Sequence, residues 1–364
     1  MAINWFPGHM NKARNQIQEA MPDIDLVIEV LDSRLPYSST NPLVDELREG
    51  KPCIKVLNKA DLSDPKTTKL WIKHFEQQQN THAIALVAEE RKQSQKLIQL
   101  VKTIAKHRVE QKKAIRVMIM GIPNVGKSTL INALAGRYIA NTGDEPAVTK
   151  RQQMIDLKNG VVLSDTPGIL WPKFENFHSG YRLATSGAIK NTAMEYEDVA
   201  MYALEYFAKA YPDALKSRYK LTELADTGSQ LLDVIARKRG CLRSGGKVDL
   251  HKAAEIVLHE FRSAKIGLLS LETPEMLLRL VMALVLGGLI GLDRRIHSKP
   301  AGLRTMSLVS LGSATFTLVG ISAMYQLAAA EQAAGLEVMV RLDTSRVIAG
   351  IVGGIGFLGA GAII

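Results

Sequence analysis

The sequence predicts an α/β domain built on a largely parallel sheet, then a small all-α domain, then a hydrophobic helical tail of membrane type. Three observations support this prediction. Strand-like apolar runs alternate with amphipathic helices in the first part of the chain, and apolar residues then recur at spacings of three and four. Beyond Pro274 charged residues become sparse. With 364 residues the chain is too long for one ordinary domain, and we predict domains at 1–175, 176–274 and 275–364.

The elements of the α/β domain follow from hydrophobic periodicity. Strands are predicted at 25–31, 52–57, 83–87, 114–120, 153–157 and 161–164. Helices are predicted at 41–48, 91–109 and 128–135. Ligands of such sheets bind beyond the carboxyl ends of the strands, so polar residues that directly follow a strand are candidate site residues.

A glycine-containing loop between the strand at 114–120 and the helix at 128–135 has the spacing of a phosphate-binding loop. Its glycines let successive backbone N–H groups turn towards phosphate oxygens, and the following helix adds its positive N-terminal end. Lys127 can reach the β- and γ-phosphates, and the Ser128 hydroxyl can ligate Mg²⁺. The predicted nucleotide-binding residues of the loop are Gly121, Pro123, Asn124, Val125, Gly126, Lys127, Ser128 and Thr129.

A second motif, formed by Asn58, Lys59 and Asp61, follows the second strand. The Asp61 carboxylate can accept hydrogen bonds from the N1–H and the 2-amino group of guanine, a donor pair that adenine lacks. On its own the motif is more simply explained as a helix N-cap, but beside a phosphate loop it favours a guanine nucleotide. We therefore predict GTP as the bound nucleotide.

Two later segments have the residues that would complete a magnesium and γ-phosphate site. The Thr149 hydroxyl can supply a second Mg²⁺ ligand from the polar segment at 143–150. Asp165, at the end of a predicted strand, can hold Mg²⁺ through a water, and the Gly168 N–H can meet the γ-phosphate. Ordinary turns are the alternative interpretation of both segments.

The order of these motifs is unusual, because Asn58 precedes the phosphate loop, whereas the phosphate loop comes first in an ordinary GTPase. The order indicates a circular permutation, which a compact α/β domain allows because its termini can lie close together. With Trp5 to Met10 in front and the segments 168–174 and 239–241 behind, residues 1–274 closely resemble the YlqF/RbgA family of circularly permuted bacterial GTPases. One departure is Ala147, where the family usually has glycine.

The resemblance implies a factor for late assembly of the large ribosomal subunit, with the subunit precursor and its rRNA as partners. Ile169 stands where Ras-like enzymes have a water-orienting glutamine, so we expect slow intrinsic turnover. The resemblance implies a catalytic role for His9, whose imidazole can position a water, although a structural hydrogen bond is the alternative. It also implies that K⁺ binds at Asn124. The predicted catalytic residues are His9, Lys127 and Thr149.

The all-α domain is predicted from apolar spacing at 199–207, 231–235 and 253–261. A basic loop between two of these helices contains the predicted RNA-binding residues Arg237, Lys238, Arg239, Arg243 and Lys247. A solvated surface is the plainer interpretation of such a loop. The net charge of +10 and the RNA-bound role that the resemblance implies favour phosphate binding.

The tail differs in character from the rest. Residues 305–330 have no charge, and a span of about 20 apolar residues crosses a bilayer. The polar motifs containing Asp293 and Arg304 resemble part of the membrane domain of MgtC/SapB proteins. Buried helices of a soluble domain are the alternative interpretation.

The expected location of the first 274 residues is the cytoplasm. Their N-terminus lacks the features of a signal peptide, and Cys53 and Cys241 have no metal-ligand spacing, which suits a reducing compartment. Basic residues at 294–304 predict a cytoplasmic loop, so a spanning segment at 276–292 would place the GTPase outside. Either 276–292 does not span, or the chain joins two unrelated genes, and we favour the second explanation. Membrane association is expected only through 275–364, and the alternative function is a membrane-tethered GTPase that controls this tail.

Overall fold

A six-stranded sheet lies at the centre of the α/β part. Its strands are β1 (Leu26–Asp32), β2 (Cys53–Asn58), β3 (Thr81–Ala85), β4 (Ile115–Met120), β5 (Gln153–Asp156) and β6 (Val161–Asp165). They lie in the order β3-β2-β1-β4-β6-β5, with β5 antiparallel and the others parallel. Every residue of β1 and β2 is buried, as their apolar runs predict.

The computed structural model describes residues 9–139, 153–166, 177–189, 195–243 and 245–273. These residues belong to one compact unit, Ala2–Thr273. The predicted tail lies outside them. Within the described ranges, no helix combines the length and the apolar character that crossing a membrane requires.

Helices precede, connect and follow the strands. In the α/β part they are α1 (His9–Ala20), α2 (Pro36–Ser39), α3 (Pro42–Leu47), α4 (Pro65–Glu76), α5 (Arg91–Ile104), α6 (Lys106–Glu110) and α7 (Lys127–Ala135). The helical segment that follows contains α8 (Phe177–Ser186), α9 (Tyr196–Ala210), α10 (Pro212–Tyr219), α11 (Gly228–Lys238) and α12 (Leu250–Arg262). Its core includes Phe207 and Phe261, whose ring centroids are 5.2 Å apart.

The chain returns to the α/β part after α12. The buried Glu272 carboxylate accepts hydrogen bonds from the backbone N–H groups of Tyr37 (2.7 Å) and Ser38 (3.0 Å) in the short helix α2. It also forms an ion pair with Arg182 of α8, 3.3 Å away. One carboxylate therefore fixes α2, α8 and the end of the described chain to one another.

Several predicted elements differ in extent from the observed ones. Helix α4 was not predicted, although Asp64 caps it and Pro65 begins it, a recognisable start signal. The helix predicted at 91–109 is divided at Ala105, where the backbone leaves the helical region (ψ 35°). The basic loop predicted at 237–247 is shorter, because α11 continues to Lys238.

A charged pair lies inside the sheet. The Lys55 ammonium on β2 is 2.5 Å from a carboxylate oxygen of Glu29 on β1, and both side chains are fully buried. The other oxygen of Glu29 accepts the Asn41 N–H at 2.8 Å. Burial alone would lower the pKa of Lys55, but the Glu29 carboxylate outweighs burial and raises that pKa.

The first prediction concerns this pair. Lys55→Met leaves the Glu29 carboxylate buried without a cation, and we expect the free energy of unfolding to fall by about 3 kcal/mol. Urea unfolding of the full-length protein, followed by tryptophan fluorescence, measures the change. The Glu29→Gln/Lys55→Met double variant is the control, and it should recover at least half of the loss because no charge stays buried. A single variant as stable as the parent would show that Glu29 needs no cation.

Candidate nucleotide-binding site

The carboxyl ends of β1, β2, β4 and β6 meet at one edge of the sheet, and every described candidate of the nucleotide site lies there. The strand order reverses at the crevice between β1 and β4. From β1 the chain continues outward to β2 and β3 on one side, and from β4 it continues to β6 on the other. The phosphate loop follows β4, and the Asn58 motif follows β2. The fold thus brings together two motifs that are about 60 residues apart in sequence.

Glycine is required at two positions of the loop. Gly121 has φ +145°, and a Cβ there would lie 2.5 Å from the carbonyl oxygen of Val30 on β1. Gly126 has φ +94°, and its Cβ would lie 2.2 Å from the Asn58 amide nitrogen. The loop therefore packs against β1 and against the second motif more closely than any side chain would allow.

Lys127 begins α7 and is held inside the loop. Its ammonium donates hydrogen bonds to the carbonyl oxygens of Gly121 (3.1 Å) and Ile122 (2.7 Å). Burial lowers the pKa of Lys127 to about 8, against the opposing charge of Asp165. Ser128 and Thr129 follow in the first turn of α7, where the backbone N–H groups have no partner within the helix, and both residues are half-buried. This arrangement of donors suits a polyphosphate.

Asp165 at the end of β6 has the character of a cation ligand. Its Oδ1 atom is buried and has no hydrogen-bond partner in the described part of the chain. Burial raises the pKa of Asp165 to about 6, although Lys127 and a backbone N–H act in the opposite direction. A buried carboxylate oxygen without a donor fits a divalent cation such as Mg²⁺.

Asn58 connects three segments of the site. Its amide nitrogen donates to the Val125 carbonyl in the phosphate loop at 2.8 Å, and its amide oxygen accepts the Ala88 N–H at 2.9 Å. The side chain is buried. In the structure the Asn58 side chain thus joins the two motifs to the loop after β3, and its predicted role in nucleotide binding stays a prediction.

Lys59 makes a second connection. Its backbone is left-handed (φ 59°), and its ammonium donates to the Asn124 carbonyl at 2.6 Å. The same ammonium is 3.4 Å from a carboxylate oxygen of Asp32. Burial tends to raise the pKa of Asp32, but the charges of Arg34 and Lys59 lower it well below its usual range. Asp61, two residues further on, is exposed, and its carboxylate is accessible to a base.

Sequence reasoning missed Arg34 and Arg262, which link this edge of the sheet to the helical segment. The Arg34 guanidinium donates two hydrogen bonds to the Asp32 carboxylate, at 2.8 and 2.6 Å, and one to the Arg262 carbonyl, at 3.4 Å. Arg262 donates to the Ala184 and Thr185 carbonyls at the end of α8, each at 2.9 Å. For Arg34 the sequence offered a signal, because it follows Asp32 at the end of a buried strand.

The loop itself also touches the helical segment. The Asn124 amide nitrogen donates to the Gly187 carbonyl, just beyond α8, at 2.8 Å. The contacts through Asn124, Gly187, Ala184, Arg262, Arg34, Asp32 and Lys59 form a closed ring, because the Gly187 N–H donates at 3.1 Å to the Ala184 carbonyl that also accepts from Arg262. We call it the coupling ring, and it contains both predicted nucleotide residues and residues of the helical segment.

The predicted RNA-binding residues lie at the end of α11 and in the following loop. Arg237 is 2.8 Å from Asp233, Arg243 is 3.0 Å from Asp249, and Arg239 forms an ion pair with Glu260. Lys238 donates to the Lys220 carbonyl at 3.0 Å, and Lys247 is exposed. The structure therefore pairs three of these five basic residues with carboxylates, which the sequence did not suggest.

Two site predictions fall outside the described residues, and a third concerns a side chain that is not described. Thr149 and Gly168 lie in 140–152 and 167–176. His9 begins α1, but its side chain is not among those described. Their predicted roles remain predictions.

Three family models match the chain. The model described as 50S ribosome-binding GTPase matches residues 116–235, and the model described as RsgA GTPase matches 42–175, which include both the Asn58 motif and the phosphate loop. The MgtC family model matches 280–364, the region that resembles MgtC/SapB proteins. That this region spans a membrane stays a prediction.

Individual relatives match most of the chain. Ribosome biogenesis GTPase A of Priestia megaterium is 47% identical over 282 residues, covering 75% of this chain and 98% of that protein. The protein of the same name from Bacillus cereus is 48% identical, covering 76% and 95%. The crystal structure of GNP-bound YlqF from T. maritima matches with a TM-score of 0.55 and 32% identity, covering 72% of this chain and 99% of that one.

These matches extend over nearly the whole length of the relatives and over the residues that form the sheet, the phosphate loop and the helical segment. On this evidence the chain belongs to the ribosome biogenesis GTPase A family.

Proposed function

We propose that this chain hydrolyses GTP with Mg²⁺ and acts as an assembly factor in late maturation of the large ribosomal subunit, in the cytoplasm. The observation that carries the proposal is the junction of the two motifs, in which Asn58 contacts the loop at Val125 and the buried Lys127 lies within it. A guanine reader fixed to a phosphate loop is the arrangement that GTP requires. The names of the relatives supply the ribosomal role.

We assign the following roles to the described site residues. Lys127 and the N–H groups at the start of α7 stabilise phosphate charge. Asp61 selects guanine, and Asn58 and Lys59 hold the base motif against the loop. Ser128 and Asp165 are the described residues that would hold Mg²⁺, which neutralises phosphate charge when bound. Thr149, Gly168 and His9 complete the proposed set, with His9 orienting the water and Asn124 contributing to a K⁺ site.

We further infer that nucleotide state is communicated to a helical domain at 176–274. The segments at 143–149 and 165–169, which we assign to the γ-phosphate, lead directly into the helical segment in this permuted order. The coupling ring provides a second physical connection, because Asn124 and Lys59 are held by the same contacts that hold the end of α8. A change at either motif therefore acts on contacts that both parts share.

A second candidate function rests on the MgtC family match at 280–364. In it, the tail anchors the protein in a membrane and GTP binding regulates the tail. Cell fractionation separates the candidates, since an assembly factor is recovered with ribosomal particles and a tethered regulator with membranes.

The second prediction tests the ribosomal role. Purified large subunits should raise the GTP hydrolysis rate of the full-length protein at least about tenfold, since Ile169 leaves intrinsic turnover without a water-orienting group. Phosphate release in K⁺ buffer, with and without subunits, measures this. Bound GTP without any stimulation would contradict an activating role of the subunit.

The same assay contains two matched arms. His9→Ala should remove the stimulation while GTP affinity stays unchanged, because an imidazole that orients water acts on hydrolysis and not on binding. Replacing K⁺ by Na⁺ should slow the parent if a K⁺ ion assists. Full stimulation of His9→Ala, or equal rates in the two salts, would remove the corresponding assignment.

The third prediction concerns base selection. Asp61→Asn should weaken GTP binding by about 100-fold, because it removes two charge-assisted hydrogen bonds to guanine. Xanthosine triphosphate carries a carbonyl in place of the 2-amino group, so it should bind the variant better than the parent. Calorimetric titration of the parent and the variant with both nucleotides measures the change in preference from GTP to xanthosine triphosphate. Equal loss for both nucleotides would indicate a structural effect of the substitution.

The fourth prediction concerns the loop after α11. Lys238→Gln/Lys247→Gln should lower the slope of log affinity against log salt for rRNA by about 1 to 2, since each lost phosphate contact removes roughly 0.7 to 0.9. The two lysines are chosen because neither is paired with a carboxylate in the described part of the chain. Filter binding over a salt series is the measurement. An unchanged slope would contradict a contact between this loop and the rRNA phosphates.

A further inference from the structure

A long stretch of positive charge lies in α5 and the residues that follow it, outside the nucleotide site and the loop after α11. Between residues 91 and 113 there are eight lysines and arginines and one acidic residue, Glu110. No acidic residue occurs from 91 to 109. The stretch therefore contributes +7 to a chain whose net charge is +10.

The charges of α5 point away from the core. Leu97 and Val101 are buried against the sheet. Lys92 and Lys96 are one turn apart and exposed, and Arg91 and Lys102 lie beside them on the solvent half of the helix. We call Arg91, Lys92, Lys96 and Lys102 the basic face, and it extends over about 16 Å of helix.

The basic face differs from the loop after α11 in how its charges are compensated. None of its four side chains forms an ion pair with any part of the chain that the structure describes. Glu90, which precedes α5, accepts a hydrogen bond from the Gln93 side chain. Lys106 and Arg108 of α6 are nearby basic residues that form ion pairs, with Glu110 and Asp25. In the loop, by contrast, Arg237, Arg239 and Arg243 are all paired.

This difference favours the basic face as a site for an anion. A phosphate that approaches the arginines of the loop competes with their carboxylate partners, whereas a phosphate that approaches the basic face displaces only water and small ions. Four uncompensated cations along about 16 Å of a rigid helix match the repeated charge of a nucleic-acid backbone. A single small anion would not use their spacing.

We propose that the basic face of α5 is a docking surface for the rRNA backbone. This inference rests on the proposed ribosomal function. It adds an RNA contact on the α/β part itself, on the helix that packs beside α7 of the phosphate loop. The contact is with phosphates, so it positions the protein without reading sequence.

The test compares two triple variants of the full-length protein with equal charge change. Lys92→Gln/Lys96→Gln/Lys102→Gln removes three of the four charges of the basic face and keeps Arg91. Lys66→Gln/Lys69→Gln/Lys73→Gln removes three exposed lysines of α4 and is the matched control. α4 and α5 lie on opposite faces of the sheet. The connection through α4 runs outward from β2 to β3, whereas the connection through α5 runs back from β3 to β4, and right-handed connections in opposite directions place their helices on opposite faces. In agreement, Trp71 of α4 packs with Leu31 and Leu57 in a cluster separate from the main core.

We expect the α5 variant to bind deproteinised large-subunit rRNA about 10- to 100-fold more weakly at 0.15 M salt, with a salt slope lower by about 2. The α4 variant should stay within about threefold of the parent, since charges beyond a Debye length are screened. Intrinsic GTP hydrolysis of both variants should equal that of the parent, which shows that they are folded. Lys92→Arg/Lys96→Arg/Lys102→Arg, which keeps the charge, should bind like the parent.

Each remaining outcome has a distinct meaning. Parent-like rRNA binding by the α5 variant, or equal losses in the α4 and α5 variants, would overturn the proposal. Loss of binding to whole particles with unchanged binding to bare rRNA would also overturn it, by indicating an acidic ribosomal protein. A parent that binds neither particles nor rRNA would instead refute the proposed function itself.

Discussion

The buried pair of Asp32 and Arg34 is the interaction on which the arrangement of the site depends. Two charges removed from water are tolerated only where hydrogen bonds replace those to water, and here Arg34 and Asp32 supply them to each other. Arg34 occupies both oxygens of Asp32, stacks its guanidinium 5.0 Å from the centre of the Phe261 ring, and reaches the Arg262 carbonyl. Asp32 in turn attracts Lys59. The end of β1, the base motif and the last helix are thereby held in one geometry.

The sheet order explains why the permuted sequence still produces one site. Asn58 and Val125 are far apart along the chain, but β2 and β4 both flank β1, and their carboxyl ends point the same way. The close approach at Gly126 then brings the loop within hydrogen-bond range of the Asn58 side chain. Neither motif depends on which of them is synthesised first. The site therefore depends on strand neighbours and not on chain order.

The sequence identified the features that local chemistry determines. Gly121 and Gly126 are dictated by loop geometry, and the strands at 26–32 and 53–58 by largely apolar runs, each interrupted by one charged residue, Glu29 or Lys55. It could not identify contacts that depend on tertiary packing. Asn58 has the same side chain whether it meets a base or the Val125 carbonyl, and the partners of Arg239 and Arg243, Glu260 and Asp249, lie in or just before the next helix. The residues of the helical segment in the coupling ring were missed for the same reason, since Arg262 is recognisable only once α8 lies beside it.

The charges of this chain fall into two groups with different physical behaviour. Arg34, Lys55 and Lys127 are buried, and each lies close to a carboxylate, so salt in solution screens them little and they serve to hold the fold and the site. The lysines of α5 lie on its solvent side, and none forms an ion pair with the described part of the chain, so their interactions respond strongly to salt. The two groups of charges also differ in what they contribute to binding, the buried ones to specificity and the exposed ones to affinity. Internal charges fix the geometry that selects GTP, while external charges attract an anionic partner without disturbing that geometry, because the two sets share no contacts.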